Sequence, residues 1–72
     1  MKDEEFYKNL GVVLRAEREK RNLSQQEIAD KLGVSKMLVS NWESGQRRMY
    51  AATLKKYCEI FDISISYVLD QC

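Results

Sequence analysis

The chain has no histidine, no proline and only two cysteines among its 72 residues. Without histidine, and with Cys58 and Cys72 at a spacing that matches no zinc motif, the sequence predicts no metal site. It also lacks a glycine-rich phosphate loop and a nucleophile beside an evident base. We therefore expect neither an enzyme nor a bound cofactor or small-molecule ligand. The absence of proline favours helices joined by short connections.

Long apolar runs are also missing, since the longest contain three or four residues. A membrane-spanning helix needs about 20 apolar residues, so no such span and no membrane partner is expected. The first ten residues, MKDEEFYKNL, are acidic and lack the apolar centre of a signal peptide. These features predict a cytoplasmic protein. The length predicts a single domain over residues 1–72, with its core at about residues 6–69.

The apolar residues that are present recur at three- and four-residue steps, which predicts helices. In the first helix Phe6, Leu10, Val13 and Leu14 share one face, and Asn22 is suited to a left-handed cap at its end. The predicted helices cover about residues 4–21, 25–32, 36–44, 51–61 and 65–69. The sequence therefore indicates an all-α fold, a compact five-helix bundle.

Residues 24–45, SQQEIADKLGVSKMLVSNWESG, contain the signals of two short helices joined by a tight turn. Ser24 followed by Glu27 is a capping box. Gly33 can end the first of these helices in a left-handed conformation, and Ser35 can cap the second. Such a pair is typical of the helix-turn-helix, which places its second helix in the major groove of DNA.

With this motif, the chain resembles the Cro/cI-type (XRE-type) helix-turn-helix family of phage repressors and small bacterial regulators. The resemblance rests on LSQQEIADKLGVS, VSNWESGQ and TLKKYCEIFDIS, and it extends over roughly residues 10–69. It implies a lambda-repressor-like DNA-binding domain. Two places depart from the family pattern. Arg48-Met49-Tyr50 stands where an Asn-Pro-Ser/Thr run usually caps the fourth helix, and Asp62 stands where the family usually has glycine.

The outer face of the second helix of this motif holds the candidate base-contacting residues Ser35, Lys36, Met37, Ser40 and Asn41. Asn41 can bond adenine N6 and N7 together, Lys36 suits guanine O6 and N7, and Met37 suits a thymine methyl group. The alternative is a polar face that is merely solvated. Inside a helix-turn-helix this alternative is the weaker one, because the first two turns of the recognition helix meet the bases.

The candidate phosphate-contacting residues are Gln25, Ser44, Arg47 and Arg48. Gln25 lies in the first turn of its helix, whose free amides attract anions, and the resemblance implies that it also braces the recognition helix. Loop arginines are otherwise usually just solvated. The net charge is only +1, but residues 35–50 hold three basic groups against Glu43 alone. This local excess of positive charge supports contact with nucleic acid.

Arg18 and Glu43 occupy positions where phage-repressor relatives pair an arginine on helix 1 with a glutamate near the end of helix 3. The resemblance therefore implies a structural ion pair, partly buried, that holds the recognition helix against the first helix. Removing one partner of a buried pair costs about 3–5 kcal/mol. Trp42 and Tyr57 could suggest a ligand site, but their helical spacing with apolar neighbours predicts core positions.

One such domain contacts too few base pairs to select a genomic site, so we expect a homodimer on a pseudo-palindromic operator. The candidate dimer interface consists of Ile65, Tyr67, Val68 and Leu69 on the last helix. The expected function is that of a sequence-specific regulator of transcription, a repressor, that binds double-stranded DNA. The alternatives are an antitoxin, a restriction–modification controller and a protein-interaction adapter. The adapter is kept because the net charge is low.

Overall fold

A computed structural model describes residues 3–72 as five helices with no strand among them, which confirms the predicted all-α class. The helices are α1 (Asp3–Lys20), α2 (Gln25–Leu32), α3 (Lys36–Glu43), α4 (Ala51–Phe61) and α5 (Ile65–Asp70). Both ends of each helix lie within one residue of the predicted positions. Residues 1 and 2, which belong to the predicted domain, lie outside the described part of the chain. No helix in that part is both long and apolar enough to cross a bilayer.

Local side-chain chemistry accounts for the start of α2. The Ser24 hydroxyl accepts a hydrogen bond from the Glu27 amide at 3.0 Å, and Glu27 Oε1 accepts one from the Ser24 amide at 2.9 Å. This reciprocal pair is the predicted capping box. It lowers the pKa of Glu27, because the Ser24 amide stabilises the ionised carboxylate. Ser35 and Ser64 cap α3 and α5, each through its hydroxyl oxygen alone.

The helix ends follow equally local rules. Asn22, Gly33 and Asp62 all have left-handed backbone conformations, as a chain reversal after a helix requires. Asp62 does so at φ 57°, although an aspartate tolerates this region less well than the glycine usual in the family. The departure at the start of α4 has a visible consequence, since Tyr50 occupies the N-cap position and makes no capping side-chain bond there.

The core is formed by inward residues of all five helices, and an aromatic cluster lies at its centre. The rings of Trp42 and Tyr57 meet nearly edge-on with centroids 6.0 Å apart, and Tyr57 lies 5.8 Å from Phe61. Trp42, Tyr57 and Cys58 are all buried, as predicted. Cys58 is therefore an apolar core residue, and burial raises the pKa of its thiol.

A group of polar contacts joins the C-terminal end of α1 to the C-terminal end of α4. The Arg21 guanidinium donates to Glu17 Oε1 at 2.7 Å and to the Phe61 carbonyl at 2.8 Å. It also lies over the Phe61 ring, 4.9 Å from the centroid. The hydrogen bond from Arg21 lowers the pKa of Glu17, because it favours the ionised form of this buried carboxylate. This network neutralises the charge of Glu17 inside the protein.

The hydroxyl of Tyr57 is the one buried side-chain polar atom without a hydrogen-bond partner in the described part of the chain. Burial raises the pKa of this phenol well above its usual value, so the hydroxyl stays neutral. An unsatisfied buried polar group costs about 1–3 kcal/mol. We therefore expect Tyr57→Phe to retain or raise the urea midpoint of unfolding. A loss of stability would show that the hydroxyl makes a stabilising bond.

Candidate nucleic-acid interface

The helices α2 and α3 pack against each other through side chains that are fully shielded from solvent. Ile28 and Ala29 on α2 and Val39 on α3 have no exposed surface. Gly33 makes the turn between the helices at φ 72°, and the Val34 amide donates to the Ala29 carbonyl at 3.0 Å. The inner face of α3 is therefore locked into the core, and its outer face points to solvent in a defined direction.

That outer face holds the predicted base-contacting residues. Ser35, Lys36, Met37 and Ser40 are exposed, and Asn41 is half-buried. Met37 is 72% exposed, so its thioether side chain is accessible on this face. Ser35 is partly committed, because its hydroxyl oxygen accepts the Leu38 amide at 3.1 Å as the α3 cap. The hydroxyl hydrogen of Ser35 is still able to donate.

The loop after α3 holds the predicted phosphate-contacting residues Ser44, Arg47 and Arg48, all of them exposed. Two contacts attach the loop to the core. The Trp42 indole N–H donates to the Arg48 carbonyl at 3.3 Å, and the Met49 side chain is buried in the core. The Arg48 guanidinium forms an ion pair with Asp3 at 3.4 Å, but both side chains remain at least 70% exposed. Such a pair is weak and readily exchanged for another anion.

A buried polar network connects α1, α2 and the end of α3. Arg18 donates to both carboxylate oxygens of Glu43, from Nε at 2.6 Å and from Nη2 at 3.0 Å. Its Nη1 donates to the Leu23 carbonyl at 2.8 Å. The Gln25 amide donates to Glu43 Oε1 at 3.0 Å. The structure thus places Gln25 against the end of α3, the bracing position that the resemblance implied, while its contact with a phosphate stays a prediction.

The ion pair of Arg18 and Glu43 is buried rather than superficial, since 10% and 3% of the two side chains are exposed. The carboxylate of Glu43 raises the pKa of Arg18, which therefore stays charged. The two-point geometry satisfies both groups without water. This contact joins α1 to the C-terminal end of α3.

Gly11 is a structural determinant of this site that sequence reasoning missed. It lies in the middle of α1, against the main chain at the end of α3. A Cβ at this position would come within 2.5 Å of the Trp42 carbonyl oxygen and would also overlap the Glu43 carbonyl oxygen. The only signal in the sequence is a glycine inside an otherwise strong helical pattern, which often marks a close packing contact.

The comparisons with known proteins agree with this geometry. A family profile described as helix-turn-helix matches residues 14–68. The chain belongs to the XRE-type helix-turn-helix family. An uncharacterized HTH-type transcriptional regulator of Archaeoglobus fulgidus is 41% identical over 56 residues, which are 76% of this chain and 24% of that protein. The chain spans less than half the length of the curated relatives it matches.

Solved structures of the helix-turn-helix family superpose on nearly the whole chain. The clp gene regulator ClgR from Corynebacterium glutamicum gives a TM-score of 0.85 at 26% identity, with 92% of this chain and 86% of that chain covered. The restriction–modification controller protein C.AhdI from Aeromonas hydrophila gives 0.81 at 27% identity, with 86% and 94% covered. The similarity therefore extends beyond the two motif helices to the five-helix arrangement.

The last helix of this helix-turn-helix domain corrects one prediction. Val68 has no exposed surface and packs in the core, so its assignment to a dimer interface is wrong. α5 has only six residues, and Val68 is the one among them that is fully buried. Tyr67 and Leu69 remain 45% and 41% exposed, and Ile65 is half-buried against the core.

The helix-turn-helix domain shows no metal centre in its described part. Among residues 3–72, no three side chains of the histidine, cysteine, aspartate and glutamate types lie close enough together to hold a metal ion. Both cysteines are free thiols, Cys58 in the core and Cys72 at partial exposure.

Proposed function

We propose that this helix-turn-helix domain binds duplex DNA sequence-specifically and regulates transcription. The observation that supports this is the outer face of α3. It presents Lys36, Met37 and Ser40 to solvent, while its inner face is locked by Val39 in the core and by the ion pair of Glu43. A rigid helix with such a face can hold the same position in the major groove at every encounter.

The base contacts are assigned by donor and acceptor chemistry. Asn41 pairs with adenine through its amide, Lys36 donates to guanine, and Met37 packs on a thymine methyl group. Ser35 and Ser40 lie at the start and on the flank of the same face, where a hydroxyl can donate to a base or a phosphate. A good bidentate pair contributes about 1–3 kcal/mol of discrimination against the wrong base.

The phosphate contacts come from both ends of this surface. At one end, Gln25 lies in the first turn of α2. Its amide nitrogen donates one hydrogen to Glu43 and has a second that can donate to a phosphate. At the other end, Ser44, Arg47 and Arg48 form the exposed loop that Trp42 holds from below. Contacts of this kind set the orientation of the protein on the duplex without reading sequence.

The regulator is proposed to act in the cytoplasm as a homodimer that represses by occluding polymerase. Two copies would place their recognition helices about 34 Å apart, one turn of DNA. Tyr67 and Leu69 are exposed apolar residues on α5 and, with Ile65, remain the candidate dimer surface. A pairing through α5 would bury apolar side chains that a monomer leaves in water.

A restriction–modification controller is the second candidate, and a specific similarity favours it. C.AhdI, which is described as such a controller, is 27% identical to this chain and is covered over 94% of its length. A controller activates as well as represses, whereas a simple repressor does not activate. A methyltransferase reading frame beside the gene would favour the controller, and a toxin reading frame would favour an antitoxin.

The function is tested by selecting bound duplexes from a random-sequence library and sequencing them. We expect an enriched two-fold symmetric motif, as a sequence-specific dimer requires. With Asn41→Ala, preference should be lost at one adenine position in each half-site while the other positions keep theirs. An enriched single half-site would contradict the homodimer. No enrichment with folded protein would contradict sequence-specific binding and favour the adapter.

A further inference from the structure

Lys8 lies directly over the loop that follows α3, although it belongs to α1. A Cβ on Gly45 would come within 2.7 Å of Lys8 Cγ and 2.8 Å of Lys8 Cα. Gly45 also has φ 78°, so the loop turns sharply beneath the lysine. This contact, one helical turn from Gly11, packs the backbone and the first side-chain carbons of Lys8 against Gly45, the residue that lies between the end of α3 and the arginines of the loop.

The charge of Lys8 is not used inside the described part of the protein. Its side chain is exposed, and none of the ion pairs among residues 3–72 includes it. By contrast, Lys20 on the same helix pairs with Glu17 at 3.2 Å. Glu4, one turn before Lys8, lines the adjacent cleft together with Asp3 and Arg48 but does not pair with the lysine.

In the free protein, one of the two arginines of the neighbouring loop has an acidic partner. Asp3 pairs with Arg48, which leaves Arg47 as the loop cation outside any ion pair in the described structure. Lys8 stands beside this loop at a position held by backbone contacts on both sides, Gly45 with Lys8 and Gly11 with the end of α3. An unpaired cation held beside an anion-contacting loop adds to the potential that attracts phosphate.

We propose that Lys8 is a further phosphate-contacting residue, so that α1 and the loop of Arg47 and Arg48 form one cationic surface for the DNA backbone. This inference rests on the proposed function. The competing explanation is purely structural, because a lysine near the C-terminal end of α3 also interacts favourably with the helix dipole. The two explanations differ in salt dependence and in the stability of the free protein.

The test compares Lys8→Gln with Lys56→Gln, a matched control at an exposed lysine of α4 that likewise makes no ion pair within the described structure. Affinity for the duplex selected above is measured by fluorescence anisotropy over a series of salt concentrations. We expect Lys8→Gln to weaken binding roughly threefold per protomer and to reduce the slope of log K against log salt by about 0.9 per protomer. Lys8→Arg should restore both values, and Lys56→Gln should change neither.

Each outcome decides the assignment. Equal slopes for Lys8→Gln and the Lys56→Gln control would overturn it, since a lost phosphate contact must lower the number of released counterions. An unchanged slope together with a lower melting temperature of the free Lys8→Gln protein would assign Lys8 to the helix dipole instead. A wild-type chain that binds no duplex overturns the proposed function itself, whereas normal wild-type binding with an unaffected variant overturns only the role of Lys8.

Discussion

Gly11→Ala is expected to destabilise the fold by about 3 kcal/mol, the upper range for overpacking, although alanine is the better helix former. By propensity alone, the same change should stabilise α1 by about 1 kcal/mol. The opposite sign is expected because the new methyl group would overlap the carbonyl oxygens of Trp42 and Glu43. These atoms are main chain, so no side-chain rotation relieves the overlap, and α1 must move away from α3.

The measurement is urea unfolding followed by the fluorescence of Trp42, which lies at the affected contact. Ala16→Gly is the matched control, because Ala16 is exposed on the same helix and glycine there should cost only about 1 kcal/mol through propensity. A domain of this size has roughly 4–11 kcal/mol in total, so the expected loss is large. A Gly11→Ala protein as stable as wild type would show that the two helices can separate without cost.

Glu43→Gln is expected to cost about 3–5 kcal/mol, the cost of breaking a buried ion pair from one side. The amide has nearly the shape of the carboxylate, so packing is retained. In the wild-type protein, Arg18 and Gln25 donate three hydrogen bonds to the two carboxylate oxygens of Glu43. The amide of the variant has only one oxygen to accept them. Its NH₂ group must then face one of these donors. The charge of Arg18 is left buried without a counter-charge.

Thermal melting measures this effect, with Glu59→Gln as the control because Glu59 is an exposed carboxylate of α4. The control should melt within a few degrees of wild type. The Glu43→Gln protein should melt far lower, and its affinity for DNA should fall at temperatures where it is still folded, because α3 loses its brace. An unchanged melting temperature would contradict a stabilising role for the pair.

The limits of the helices were predictable because their determinants are local. The capping box of Ser24 and Glu27 and the left-handed turn at Gly33 each involve residues a few positions apart. The same holds for Ser64 at the start of α5 and for the reversal at Asn22. In each case a backbone amide or carbonyl finds its partner within one turn, so a short stretch of sequence contains the whole interaction.

The predicted DNA-facing side chains lie on one surface because helical periodicity alone decides it. Because Leu38 and Val39 are directed inward, the flanking residues Lys36, Met37 and Ser40 must point outward on a helix. Their chemistry could be read directly, and it led to the proposed base contacts. The periodicity argument was less successful in α5. Apolar character on a short helix does not say which residue faces the core, and Val68 was wrongly placed on the surface.

The sequence by itself determined the class of fold, the five helices with their ends, and the outer face of α3, since these depend on near neighbours and on periodicity. Only the tertiary structure decided how closely α1 approaches α3 at Gly11, which residue of α5 is buried, and where Lys8 stands relative to the loop. These features depend on distances between segments far apart in the chain. Such distances follow from the packing of the whole core, and no short stretch of sequence specifies them.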